Sequence, residues 1–585
     1  MKTRADIADQ LAALATAELE RQRHEVAALP KDSQTVLIIE ACRVADLQHV
    51  VQHMSNDPHH FLSNFEFTVM ARGWNAFLAL LLPYVGKLKG IPNVESTPEF
   101  RQSVLSIIMG LGSATLMREN AEMYRHGMAE CVIDGDVITF RMSDRCSIDH
   151  FLDRIEADKL RRVEAAMPNE NIFEEFIKRT AVENLDDRIR SLVYPWRLNE
   201  KVAMTGYDAA PDIDEHYFAL VAETTRDGID EAGVHRDTAL GSITGRELQL
   251  VVFLLTSFYL KHIRFVGVAK RAYPEINYPM SLTIWQPKET LIESITAFNG
   301  MDKTTVAAAI DLLTVRSTDA AYFSSEATAY FPMLIEVADN YLLSPVSSIF
   351  RNTFHGIRML HEMNNGKAAI NLRVHRERWM ISELHNLFLG NRYVCMQGTT
   401  KLRRNGKVIT DIDAAILDMV TGELALFQLK WQDFSSNDVA RQRSKAKNFI
   451  EKVDAWATSV QGWLAEFGTG ALKRSLRIKS STDVKQVRLF AIGRSAARFQ
   501  SYGFASQVEA VASATWRQFT RLRYEVGLSE NVFNDLHDAI QADRTTLVKL
   551  KPVRQEMPMG SHTIVFENLW NEFEDDDDAV SQEPI

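Results

Sequence analysis

Asp411, Asp413, Gln428 and Lys430 have the residue types and spacing that metal-assisted cutting of a phosphodiester requires. Magnesium prefers hard oxygen ligands in octahedral geometry. Asp413 can supply a carboxylate and Gln428 an amide carbonyl, with waters and a scissile phosphate in the remaining positions. A bound metal lowers the pKa of an attacking water and offsets charge developing on the phosphate, while Lys430 orients that water or stabilises the added negative charge. Asp411 has three open roles: binding metal, orienting Lys430, or sitting at the solvated edge. Manganese takes the same oxygen ligands, so Mg2+ and Mn2+ are not separable by ligand type.

A β-hairpin must bring these side chains together. Val408 to Asp418 and Leu424 to Trp431 alternate β-branched and apolar residues around a short turn, Met419-Val420-Thr421-Gly422. If Asp418 pairs with Glu423, Asp413 faces Gln428 and Asp411 faces Lys430. Side chains two apart on a strand share a face. The four polar residues then form one cluster, with Ile412, Ala414, Ile416, Phe427 and Leu429 mainly on the opposite, packed face. A slip of one residue would break the cluster.

With those residues in place, the chain resembles the PD-(D/E)xK, or restriction-endonuclease-like, nuclease superfamily. That pattern runs from a helix carrying Glu, through a strand with the metal-binding Asp and a turn, to a strand ending in (D/E)xK and a further helix. Here the matching positions are Glu383, Asp413 and Gln428-Leu429-Lys430. Glu383 stands in ERWMISELHNLF, where Trp379, Leu384, Leu387 and Phe388 make an apolar stripe at helical spacing, and Glu377 is its nearest rival. The departure is Gln428 in place of an acid. A QxK form is similar to that of Mrr-type restriction enzymes, but it removes one negative ligand and shifts the metal's load onto Asp413 and Glu383. The resemblance implies a metal-dependent deoxyribonuclease, with DNA favoured over RNA, in restriction or antiphage defence. The alternative is a catalytically inactive nuclease-fold protein that binds nucleic acid or regulates. Acids and lysines on the wet face of a hairpin are also common without any site.

The flanking sequence supplies charge for a polyanion. SSNDVARQRSKAKNFIEKVDAWATSVQGWLAEF predicts a long helix from about Asp438, buried along Val439, Ala446, Phe449, Ile450, Val453, Trp456 and Val460. Arg441, Arg443 and Lys445 crowd its start, and Gln442 is a secondary candidate for the active end. VKQVRLFAIGR predicts a further strand of the same sheet, followed by Arg494. Together with Arg403 and Arg404, these cations are the candidate nucleic-acid contacts. Residues 391 to 500 hold 19 Lys or Arg and 10 Asp or Glu, or +9, so the rest of a chain of net charge -11 carries -20. A nucleic-acid backbone would favour this region and be repelled by much of the remainder; an acidic protein partner fits the same face. Neither IGRSAARF nor GKVIT has the glycine-rich arrangement of a P-loop.

A chain of 585 residues, 46% hydrophobic, is long enough for three or four domains, and the nuclease-like unit fills only about a quarter of it. The expected fold class is multidomain α+β, predominantly helical, with a restriction-endonuclease-like α/β/α nuclease domain. The expected partition is a helical region over 1–92, a helical region with a small hairpin over 93–168, a helical regulatory or oligomerisation region over 169–369, the nuclease domain over 370–500, a mixed region over 501–571 and an acidic tail over 572–585. ECVIDGDVITFRM reads as the small hairpin, with its DGD turn shaped rather than metal-bound. The tail's unbroken acidic run, Glu574 to Asp578, should stay extended and is a candidate shield for the basic groove. His49, His53, His59 and His60 permit zinc, but with no cysteine among them packing or capping is the commoner role. Four widely spaced cysteines and no secretion signal favour a reducing cytoplasm. Phe77 to Val85 and Leu248 to Leu260 are too short to span a membrane and read as core. DNA, a homo-oligomer partner, and a separate partner protein or activator are the expected associations.

Overall fold

A computed structural model describes residues 3–54, 62–85, 88–92, 94–143, 160, 177–208, 210–224, 233–325, 329–431, 438–497, 499, 502–527, 529–543 and 550–571. The chain is a multidomain, mainly helical α+β protein with several small sheets. The expected acidic tail, His59 and His60 lie outside the described residues.

Helices dominate the first part of the chain because its sequence supplies both amphipathic runs and their stops. Helices Arg4–Ala27, Asn64–Leu81 and Gly245–Ala272 each begin with a capping box, at Thr3/Asp6, Ser63/Glu66 and Thr244/Glu247, which satisfies amide donors that the first turn leaves unpaired. Pro98 opens helix Pro98–Arg125 behind the Thr97 cap. A single core runs through Val26, Trp74, Val104, Tyr259, Leu334 and Leu372. It therefore joins the three expected regions 1–92, 93–168 and 169–369 instead of separating them. Helices Asn64–Leu81 and Pro98–Arg125 touch backbone to backbone: a Cβ on Gly73 would run into Ile108 O, and one on Gly112 into Val69 O. Gly112→Ala is expected to cost about 3 kcal/mol by overpacking, since neither contact atom belongs to a side chain that can turn away. Denaturant unfolding of the variant measures this, and a change under about 0.5 kcal/mol would mean the helices can separate freely.

The apolar stretches read as too short for a membrane belong to longer helices. Asn64–Tyr84 and Gly245–Ala272 are long and apolar enough to cross one by length and composition, yet 61% and 72% of their most apolar windows are buried inside the protein. The expected hairpin is present, with Ala129–Asp134 antiparallel to Val137–Met142 around Gly135. Its partner was not foreseen: the strand His562–Asn571 runs parallel to Val137–Met142 and pairs with Leu550–Met559, so the carboxyl-terminal strands complete a sheet begun near residue 129. His49 is a core histidine: its Nδ1–H donates to Ala45 O at 2.8 Å, and Phe67 and Phe331 rings lie edge-on to it.

The unit that carries the candidate site begins with α1 (Gly366–Asn386) and continues through β1 (Tyr393–Cys395), β2 (Thr400–Arg404), β3 (Lys407–Ile412), β4 (Ala414–Asp418), β5 (Glu423–Lys430), α2 (Val439–Ser475), β6 (Gln486–Gly493), β7 (Val511–Thr515), α3 (Trp516–Val526) and α4 (Val532–Asp543). Five strands form one sheet in the order β1-β4-β5-β6-β7, antiparallel from β1 to β5 and parallel from β5 to β7. The switch from antiparallel to parallel pairing needs a long crossover, and α2 provides it. Asp438 caps α2 through a 2.9 Å bond from Arg441 N, at the predicted start. Both faces of the sheet are covered, which is why β4 and most of β5 are buried throughout. Ala415, Leu417, Leu424, Leu426, Leu489 and Ala491 pack toward Phe449, Val453 and Trp456 of α2. Ala414, Ile416, Ala425, Phe427, Leu429 and Phe490 pack with α1, α3 and α4 through Met380, Leu384, Phe519 and Phe533. The unit thus reaches past the expected limit of residue 500, to Asp543.

Candidate active site

The chain leaves β3 and joins the main sheet at Asp413. The predicted hairpin register holds from Asp413 onward: Ala414 pairs with Phe427 and Leu417 with Leu424, and Asp413 N donates to Phe427 O at 3.2 Å. Gln428 is therefore opposite Asp413. Its Nε2 donates to Asp413 Oδ2, and Leu429 N donates to the same oxygen at 2.8 Å. Burial raises the Asp413 pKa to about 6, against the opposing pull of the Lys430 ammonium and the Leu429 N–H, while Asp411 and Glu377 push it further up. A carboxyl raised in this way gains from any cation placed beside it.

Lys430 ends β5, half-buried, and its carbonyl accepts from Arg494 N at 2.9 Å. Asp411 departs from expectation. The run Val408–Asp418 is two strands, not one, and the break at Asp413 sends β3 into a separate two-stranded ribbon in which Asp411 pairs with Lys401 instead of Lys430. The Asp411 carbonyl accepts from Trp456 Nε1 at 2.8 Å and its side chain is exposed. The same break turns Ile412 toward the α2 side of the sheet, away from the face that Ala414 and Phe427 share.

Glu383 is engaged by an arginine. Arg494 donates to its Oε2, and the arginine is buried with its guanidinium over Trp379, Trp431 and Trp516 at 5.3, 5.1 and 5.2 Å from the ring centroids. Arg494 is for the same reason no surface contact for a nucleic acid. Glu377, six residues earlier on α1 and so about 240° around the helix, is exposed, and its charge, like that of Asp411, reaches Asp413. Helical periodicity marks that difference, but the arginine partner of Glu383 is not visible in it.

Of the remaining cations, Arg403 is exposed and Arg404 pairs with Glu466 at 2.6 Å. Arg443 donates to Tyr502 O at 2.8 Å and lies over Phe504. Gln442 accepts from Tyr502 Oη at 2.6 Å. Arg441 is exposed and Lys445 half-buried on the first turns of α2. A contact invisible in the sequence comes from the helical body: Gly233 lies against Trp431 and Arg376, with no room for a Cβ, and His235 stands 5.1 Å from Trp379.

Among the described residues, no group of three or more His, Cys, Asp or Glu side chains is placed to hold a metal. The donors that a divalent cation would find are the Asp413 carboxylate and, since Gln428 directs its nitrogen to Asp413, the Gln428 carbonyl oxygen. The raised pKa of Asp413 fits such a cation, at the lower limit of ligand number. No family model matches the chain, and neither a curated protein nor a solved structure matches it.

Proposed function

We propose that the protein is a metal-dependent nuclease that hydrolyses DNA phosphodiester bonds, with Asp413 and Gln428 holding magnesium or manganese and Lys430 beside the reacting phosphate. The observation that carries this reading is the pairing of Asp413 with Gln428 at one end of two interior strands of a mixed sheet, with Lys430 two residues beyond Gln428 on the same strand. The element order supports it: a helix, an antiparallel hairpin, a crossover helix and a parallel strand follow one another as the nuclease resemblance implies. When bound, the metal supplies a more acidic water and offsets charge on the phosphate. Asp413 and Gln428 would fix its position, Lys430 would stabilise the added negative charge, and Glu377, whose charge reaches Asp413, would add to the negative field while Glu383 pairs with Arg494. In restriction or antiphage defence, the large helical body would gate this site, alone, as a homo-oligomer or with an activator; that role rests on analogy.

The second reading is a nuclease-fold protein that binds nucleic acid without cutting it. The absence of a three-acid group among the described residues and the capture of Glu383 by Arg494 favour it. Incubating supercoiled, linear and single-stranded DNA with magnesium or manganese separates the two. Cutting that requires metal and falls by at least about a hundredfold in both Asp413→Ala and Lys430→Ala is the expected result. Cutting that persists in both variants, or none by the parent protein under any metal, counts against the nuclease.

A further inference from the structure

The ribbon formed by β2 and β3 stands outside the five-stranded sheet and leads directly into Asp413. Its two faces differ sharply. Leu402 and Ile412 are fully buried in the core that also holds Trp456 and Trp463. On the other face, Lys401 and Arg403 stand two residues apart and pair with Asp411 and Val408, and all four are exposed. The register shifts between Leu402 and Arg403, so that Ile409 has no cross-strand partner; such a bulge strengthens the twist of a ribbon. Val408 and Ile409 leave 47% and 38% of their surface open. Two indoles of α2 hold the ribbon by its main chain: Trp463 Nε1 donates to Arg403 O at 2.9 Å and Trp456 Nε1 to Asp411 O at 2.8 Å. The exposed face is therefore carried on a fixed support.

We propose that this ribbon lies in the groove of a nucleic-acid duplex and delivers the strand to Asp413, so that the substrate is double-stranded; the inference rests on the nuclease reading of the same site. A two-stranded ribbon matches the width of the major groove. Lys401, Arg403 and Lys407 supply cations for the flanking phosphates, and the single acid on the outward face, Asp411, is opposed directly by Lys401. Val408 and Ile409 offer aliphatic surface to base edges. A single strand calls for another surface, because its unpaired bases stack on aromatic rings, and Lys401 to Asp411 contains none. An acidic protein would satisfy the charge but has no use for a narrow ribbon ending at Asp413.

Binding is tested apart from cutting by placing Lys401→Ala and Arg403→Ala together in the full-length Asp413→Ala protein. A short fluorescent duplex, its single strand and polyglutamate are titrated over a salt series. Trp463 is held by the Arg403 carbonyl and not by its side chain, so the alanines leave the ribbon anchored. The expected result is that duplex affinity falls about fiftyfold at 0.1 M salt and the slope of log affinity against log salt shrinks by about 2, with single-strand affinity little changed. An unchanged slope, equal losses on both nucleic acids, loss only for polyglutamate, or no duplex binding before the ribbon is altered would overturn the proposal. Duplex binding that depends on the ribbon in a protein whose parent never cuts would remove the nuclease reading and leave the ribbon's role standing.

Discussion

Replacing Asp413 with asparagine is expected to abolish cutting and, without added metal, to stabilise the protein at pH 7 by about 1–2 kcal/mol. The folded protein holds the Asp413 proton more tightly than the unfolded chain does, because burial lifts its pKa to about 6. Stability from this group is complete below about pH 4 and is lost as pH rises through about 6, where the carboxyl ionises in surroundings that solvate it poorly. Asparagine is never charged and keeps an oxygen for the Leu429 N–H, the 2.8 Å bond that fixes this side chain. The advantage of the variant should therefore be small at pH 4, grow between pH 4 and pH 6 and level off above that. Magnesium should then erase it, because a cation that binds folded Asp413 and not the unfolded chain stabilises only the parent protein. Thermal unfolding of both proteins across that pH range, with and without metal, measures all three trends. A variant that melts below its parent at pH 7 in metal-free buffer would show that Asp413 is a structural carboxylate satisfied by Gln428 and Leu429.

What could be read from the sequence followed from periodicity, and what could not followed from long-range contacts. The Asp413–Gln428 pairing was legible because strand alternation has a period of two and a short turn leaves few registers open. The start of α2 at Val439 was legible from the Asp438 cap and the apolar stripe behind it. The break at Asp413 was not, since Val408 to Asp418 keeps its alternation while passing from one sheet to another. Only the indoles of Trp456 and Trp463, which hold β3 and β2 by their carbonyls, explain the departure of the ribbon. The arginine partner of Glu383 was hidden for a related reason. A glutamate at a helical position next to an apolar stripe has the same local signature whether it faces a metal or an arginine more than a hundred residues away. SHTIVFENLW was legible as a strand, but its pairing was similarly hidden, because the partner begins at Val137.

Arg494 is where this long-range packing should have its largest measurable effect. Arg494→Ala is expected to destabilise the sheet unit by about 3–5 kcal/mol, because it leaves the Glu383 carboxylate without its counter-charge and empties the space among three indoles. The guanidinium is buried and pairs with Glu383. The main-chain bond from Arg494 N to Lys430 O does not depend on the side chain, so loss of packing, not of that bond, should dominate. Tryptophan emission reports the event directly, since Trp379, Trp431 and Trp516 all stand within 5.3 Å of the guanidinium carbon. Pairing Arg494→Met with Glu383→Gln should recover much of the loss, as replacing both charges together leaves neither unpaired. Glu383→Gln alone then separates two roles for that residue. As a structural partner it should lower stability by about 1–3 kcal/mol and leave metal-dependent cutting largely intact. Unchanged unfolding with cutting reduced a hundredfold or more would instead return Glu383 to the metal and make the arginine pair a resting arrangement that opens on binding.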